Sequence, residues 1–133
     1  MKVVVHVDGG SRGNPGPAAA ATVISTPDGE VLATDSELLG IVSNNVAEYR
    51  GLLLGLTRAR ELGATEVEVV NDSELVAKQL NGAYRVKHQD MRALHAQALA
   101  ALGAFERWSI RSVPRAQNAE ADAIVNAALD GNR

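Results

Sequence analysis

The chain predicts an α/β fold: a five-stranded mixed sheet, three strands antiparallel and two parallel, with helices on both faces. Three observations carry this. The first third consists of short, largely apolar runs, rich in β-branched residues and alanine, separated by turn signals, with no helical spacing. At Ser43 the apolar residues change to a helical period. The two later strands each follow helical stretches, and such crossovers favour parallel pairing.

Val3 to Val7 is apolar and β-branched, and Gly9-Gly10 is expected to stop it. Gly9 to Pro17 reads as a long loop dense in turn residues. Ala18 to Thr26 is the second strand. Pro27-Asp28-Gly29 turns the chain, because proline sets φ and glycine tolerates positive φ. Val31 to Leu39 returns as the third strand, completing an antiparallel meander. Val46, Tyr49, Leu53, Leu56 and Ala59 then recur at helical spacing. Ser43 or Asn44 can cap this helix and Gly63 can end it. Thr65 to Val70 is the fourth strand. Ser73 to Leu80 is a short helix with Ser73 as cap and Asn81-Gly82 as stop. Tyr84 to Gln89 is a polar connector, and Asp90 caps a helix over Met91 to Leu102. Phe105, Trp108, Ile110 and Val113 mark the fifth strand. Pro114 to Asn118 is a loop, and Ala119 to Leu129 an alanine-rich final helix.

At 133 residues the chain suits one domain, spanning 1–130, with 131–133 as a terminal tail. Either a native terminus or a longer chain is compatible with that end. There is no cysteine, which excludes disulfides, zinc-thiolate sites, iron–sulfur clusters and a cysteine nucleophile. No apolar run approaches membrane-spanning length, and the N-terminus reads as a strand, so no membrane partner and a cytoplasmic location are expected. The net charge of −3 argues against a nucleic-acid partner, unless several acids sit together on cations that reverse the local field.

Four acids occupy positions from which they can meet. Asp8 ends the first strand, Glu48 lies in the first turn of the first long helix, Asp72 directly follows the fourth strand, and Asp122 lies in the first turns of the last helix. In α/β sheets the carboxyl ends of parallel strands and the starts of the following helices face one crevice. Carboxylates packed together repel and need cations. Magnesium or manganese, with oxygen ligands and octahedral geometry, suits them. Two such ions roughly 4 Å apart form a clamp for in-line displacement at phosphorus. Any one of these acids alone reads more readily as a solvated charge, and Asp72-Ser73 could be only a helix cap. The set carries the argument.

The residues around those acids bear a family resemblance. Val7-Asp8-Gly9-Gly10-Ser11-Arg12-Gly13-Asn14-Pro15-Gly16 resembles the opening strand and loop of type-1 ribonucleases H. Ser43-Asn44-Asn45-Val46-Ala47-Glu48-Tyr49 is similar to that family's asparagine-rich helix start with its glutamate. Asn71-Asp72-Ser73-Glu74-Leu75-Val76 resembles its strand-end aspartate, and Asn118-Ala119-Glu120-Ala121-Asp122 its closing asparagine and aspartate. The match runs from residue 3 to about residue 129, with the motifs in order.

The resemblance implies a ribonuclease H-like fold and an endonuclease that cuts the RNA strand of RNA–DNA hybrids, leaving 5′-phosphate and 3′-hydroxyl ends. Asp8 would bridge two Mg2+ or Mn2+ ions. Asp122 would complete the site of the nucleophile-activating ion, and Glu48 and Asp72 the other, with Glu48 also near the ribose. Asn14, Asn44 and Asn45 would touch the minor groove, where an amide can both donate to and accept from the 2′-hydroxyl. Ser43 would sit by a DNA phosphate. Arg115 stands where many relatives carry a histidine; it stays charged, so it can hold a phosphate but not shuttle protons. The connector carries Arg85, Lys87 and His88, a shorter basic segment than some relatives have.

Other readings stay open beside this one. Double-stranded RNA is a second candidate substrate. A module that binds hybrids without cutting them is a third reading, disfavoured because a pure binder has no reason to gather negative charge beside phosphates. A monomeric domain, alone or within a longer chain, is expected. His6 is expected to point away from Asp8's face, His95 to be structural, and Trp108 to pack in the core.

Overall fold

The computed structural model describes residues 1–131. Five strands are present: β1 (Lys2–Ser11), β2 (Gly16–Ser25), β3 (Val31–Val42), β4 (Glu66–Asn71) and β5 (Arg107–Ser112). The helices are α1 (Asn44–Glu61), α2 (Glu74–Leu80), α3 (Gln89–Gly103) and α4 (Ala119–Asp130), with a 3₁₀ turn at Arg115–Asn118. Of the expected tail, residues 132 and 133 lie outside the described residues.

The spatial order is β3-β2-β1-β4-β5. β1–β2 and β2–β3 are antiparallel, whereas β1–β4 and β4–β5 are parallel, as the crossovers require. Val3 and Val5 pair with Val67 and Val69, and Val69 with Ile110, so the central strands present one apolar face. On that face α1, α2 and α3 enclose the main core, which includes Tyr49, Leu52, Leu56, Leu80, Leu94 and Leu102. On the other face α4 covers Ala19 and Ala21 with Val125 and the partly buried Ile124 and Leu129. Trp108 is half-buried against the main core, as expected.

Several expected boundaries move, for tertiary reasons. β1 does not stop at Gly9-Gly10 but runs on to Ser11. The glycine at 9 serves a close approach: a Cβ there would lie 2.0 Å from the carbonyl oxygen of Ala47 in α1. Gly51 lets α1 down onto the same strand, since its Cβ would lie 2.4 Å from the carbonyl oxygen of Asp8. β3 continues past Leu39 to Val42; Gly40, at φ +74°, lies where its pairing with β2 shifts register between Ala18 and Ala19. Asp90 does not cap α3, which begins at Gln89 after His88; Asp90 lies within its first turn. The expected loop at 114–118 closes into the 3₁₀ turn.

Candidate active site

Each acid is held by a different element. Asp8 lies within β1, not at its end, because the strand continues. Its side chain is 7% exposed. Glu48 lies just past the first turn of α1, not within it, since the helix begins at Asn44. Ser43 is the cap: its Oγ accepts from the Val46 N–H at 3.2 Å. Asp72 follows β4 directly. The Asn71 side chain accepts from the Ser73 N–H at 2.6 Å, and Ser73 Oγ accepts from the Val76 N–H at 3.2 Å. This pair of local bonds turns the chain at Asp72 and starts α2. Asp122 lies in the first turn of α4.

The four carboxylates line one open cleft together with Asn44, Arg12 and Arg115. Asp8, Glu48 and Asp72 also line a small inner niche floored by Val7, Leu52, Val76 and Ile110. The acids therefore stand over apolar side chains. Burial pushes the Asp8 carboxyl up to about 8, helped by the charges of Asp72 and Asp122. Burial raises Glu48 to about 7, against hydrogen bonds from Ser73 and Asn44. Burial also raises Asp72, while Arg115 opposes the shift. Arg115 Nε stands 3.8 Å from Asp72 Oδ2, too far for a hydrogen bond, and that buried oxygen has no hydrogen-bond partner.

This donor set fits hard divalent cations. It offers oxygen ligands only, negative charge that desolvation makes unfavourable, and a buried carboxylate oxygen without a hydrogen-bond partner. Among the described residues, the acids ring the cleft without already meeting as a closed set of three or more ligands.

The expected amides divide between two places. Asn14 Oδ1 accepts from the Asn44 N–H at 3.1 Å. Asn44 Oδ1 accepts from the Ser11 N–H at 3.3 Å, and its Nδ2 donates to Glu48 at 3.2 Å. These bonds knit the β1–β2 loop to the start of α1 at the rim of the cleft. Asn45 faces elsewhere, into a groove with Leu75, Tyr84, Arg85, Lys87 and His88. Leu75 lines both, so groove and cleft adjoin.

His6 corrects an expectation. Residues two apart on a strand share a face, and His6 lies with Asn118, Ala119 and Glu120 on the α4 side, which is Asp8's side. Burial lowers its pKa. His95 is structural as expected, its Nε2 3.1 Å from the Gln79 carbonyl. Arg12 was not among the expected cleft residues; its place four residues after Asp8 was the available signal.

The chain matches the family model described as "Reverse transcriptase-like" over residues 6–128. It is 50% identical over 131 residues to the bifunctional protein Rv2228c of Mycobacterium tuberculosis, covering 98% of this chain but 36% of that protein. The chain thus spans about a third of that relative's length. The solved N-terminal RNase H domain of Rv2228c superposes with a TM-score of 0.95, covering 98% of this chain and 94% of that one. RNase H1 of the archaeon Halobacterium salinarum, at 43% identity, also gives a TM-score of 0.95, covering 98% of each chain. LC11-RNase H1, solved with an RNA/DNA hybrid, is 36% identical, with a TM-score of 0.92 and 96% of each chain covered. With its sheet order, its cleft of four acids and these near-complete matches, the chain belongs to the ribonuclease H family.

Proposed function

We propose that this chain is an endoribonuclease that hydrolyses the RNA strand of RNA–DNA hybrids with two divalent cations, Mg2+ or Mn2+, leaving 5′-phosphate and 3′-hydroxyl ends. The observation that carries this is the convergence of Asp8, Glu48, Asp72 and Asp122 on one open cleft above an apolar floor. The hybrid bound to LC11-RNase H1, a relative that superposes over nearly the whole chain, supports the substrate. Bound cations would supply an activated attacking water and neutralise charge on the leaving oxygen.

The chain's own residues do the rest. Asp8, which feels the charges of both Asp72 and Asp122, would be the ligand shared by the two cations. Asp122 would help to hold one cation, and Glu48 and Asp72 the other. Asn44, oriented by its bonds to Ser11 and Glu48, and Asn14 beside it lie at the rim, where the RNA strand's 2′-hydroxyls would pass. Asn45 would reach the minor groove from the adjoining depression. There Arg85, Lys87 and His88 offer a track for the second strand's phosphates. Ser43, at the cap of α1, would lie by a DNA phosphate. Arg115, 81% exposed at its side chain, can hold a phosphate beside the site but cannot move a proton. Proton transfer therefore falls to water and the carboxylates.

No helix among the described residues is long and apolar enough to cross a membrane. In this reading the chain acts in the cytoplasm as a monomeric domain, alone or within a longer protein of the kind Rv2228c represents. The test is cleavage of an end-labelled hybrid with Mg2+, Mn2+ or chelator, beside double-stranded RNA and double-stranded DNA. Metal-dependent cutting of the hybrid's RNA alone is expected. Preference for double-stranded RNA would overturn the substrate assignment, and hybrid binding without cutting would overturn the enzyme.

A further inference from the structure

We propose that Asn118 is a positioning residue that fixes the spacing between Asp8 and Asp122, and with it the affinity of the cleft for divalent cations. The proposal rests on the reading of the cleft as a metal centre.

Asn118 is 1% exposed, among the most buried polar residues of the protein. It stands at the start of α4, where asparagine commonly caps a helix through its side chain. Here it makes no such bond. Its Nδ2 instead reaches across to β1 and donates to the Val7 carbonyl at 2.8 Å, joining residues 111 positions apart. Val7 immediately precedes Asp8, and Asp122 follows Asn118 by four residues, one helical turn on. A single buried hydrogen bond thus ties the backbone bearing one acid to the helix bearing the other. α1 meets β1 at the same point through the close approach of Gly51 to the Asp8 carbonyl. β1 is held there from two sides.

The other half of the amide sharpens the point. Asn118 Oδ1 is buried with no hydrogen-bond partner. An asparagine chosen for packing stability would satisfy both ends or give way to an apolar residue, because an unmade buried bond is unfavourable. The donor half of the amide is committed to the bridge to Val7. Besides the bridge, α4 is held by a small cluster centred on Ala19, Ala21 and Val125 and, at its far end, by the Arg12–Asp130 ion pair at 2.6 Å; at the end that carries Asp122 the bridge is the buried polar tie. Without it, the start of α4, and Asp122 one turn on, is free to shift relative to Asp8.

The experiment compares the wild-type chain, Asn118→Ala and Leu102→Ala, the last a core truncation in α3 that controls for lost stability. Mn2+ affinity is read by calorimetry, thermal stability in chelator, and kcat and KM on a hybrid at limiting and saturating metal. Asn118→Ala is expected to bind Mn2+ roughly ten-fold more weakly. Its kcat should fall at limiting metal and recover at saturation, with the hybrid KM unchanged. Leu102→Ala should melt lower yet bind Mn2+ like wild type. Unchanged affinity in Asn118→Ala, or equal loss in Leu102→Ala, would overturn the proposal. A wild-type chain that takes up no Mn2+ would instead overturn the metal-centre reading. Should Asn118→Ala fail to fold, the side-chain amide of Asn118 in the 15N-labelled wild type decides: it should shift on Mg2+ titration, and no response would overturn the proposal.

Discussion

On one face of the sheet, three helices bury Tyr49, Leu52, Leu56, Leu94 and Leu102 against the central strands, and the Tyr49 hydroxyl donates to Gln79 at 2.7 Å to join α1 to α2. On the other face, α4 lies over alanines with Val125 as its one fully packed large residue. The two faces contribute differently to the cleft. The thick face fixes Glu48 through α1 and holds the backbone of Asp8 through Gly51. The thin face delivers Asp122. An acidic cluster is electrostatically unfavourable wherever it is built. This fold sets that unfavourable group on its most heavily packed elements and brings the fourth acid in on a lighter one.

The largest expected effect comes from removing the charge that both faces share. Asp8→Asn keeps the shape and should lower cleavage by about 10³-fold or more, with an unchanged circular dichroism spectrum. Loss of the fold would show that Asp8 is structural. Gly51→Ala attacks the thick face directly, because its new Cβ would meet the Asp8 carbonyl oxygen at 2.4 Å. It should destabilise the protein by roughly 1–3 kcal/mol and lower kcat together with stability. A neutral result in denaturant melts would mean that α1 can lift without moving the site.

The pH dependence follows from the raised carboxyls. Asp8 binds its proton more tightly folded than unfolded, with a folded value of about 8 against an ordinary 3.8. Its contribution is therefore fully favourable below about pH 4 and is lost as pH rises to about 8. Glu48, at about 7, acts in the same sense. In chelator, wild-type stability should fall measurably across that window. Asp8→Asn should flatten the fall and melt higher than wild type at pH 8, and added Mg2+ should offset the loss in the wild type alone. A wild-type stability that rises with pH over this range would contradict the burial argument. The smallest effect belongs to Arg115, exposed and outside hydrogen-bonding distance of Asp72. Arg115→Ala should raise the hybrid KM a few-fold and reduce the salt slope of binding by about one, with kcat little changed.

What the sequence disclosed and what it hid divide along the same physical line. Features set by local chemistry were legible: the caps at Ser43 and Ser73, the turn at Pro27-Asp28-Gly29, the change of period at Ser43, and the strand order implied by crossovers. Asp72 and Asp122 were legible because each sits beside an element boundary that such signals reveal, whereas Asp8 and Glu48 lie a few residues further inside their elements than the local signals suggest. Features set by distant contacts were not. Gly9 looked like a strand end because nothing local shows that α1 will lie on it. β3 looked finished at Leu39 because nothing local shows that, past the register shift there, Gly40 to Val42 go on pairing with β2. Asn118 carried the local signature of a cap, yet its partner lies 111 residues away. His6 faces the α4 side with Asp8, because positions 6 and 8 of one strand share a face.

The most direct test of the central claim is the cleavage of a 5′-labelled RNA–DNA hybrid by the wild-type chain in Mg2+ or Mn2+, with chelator as control. Cutting of the RNA strand with either metal, abolished by chelator, is the predicted result. An intact RNA strand under both metals, with the protein folded, would contradict it.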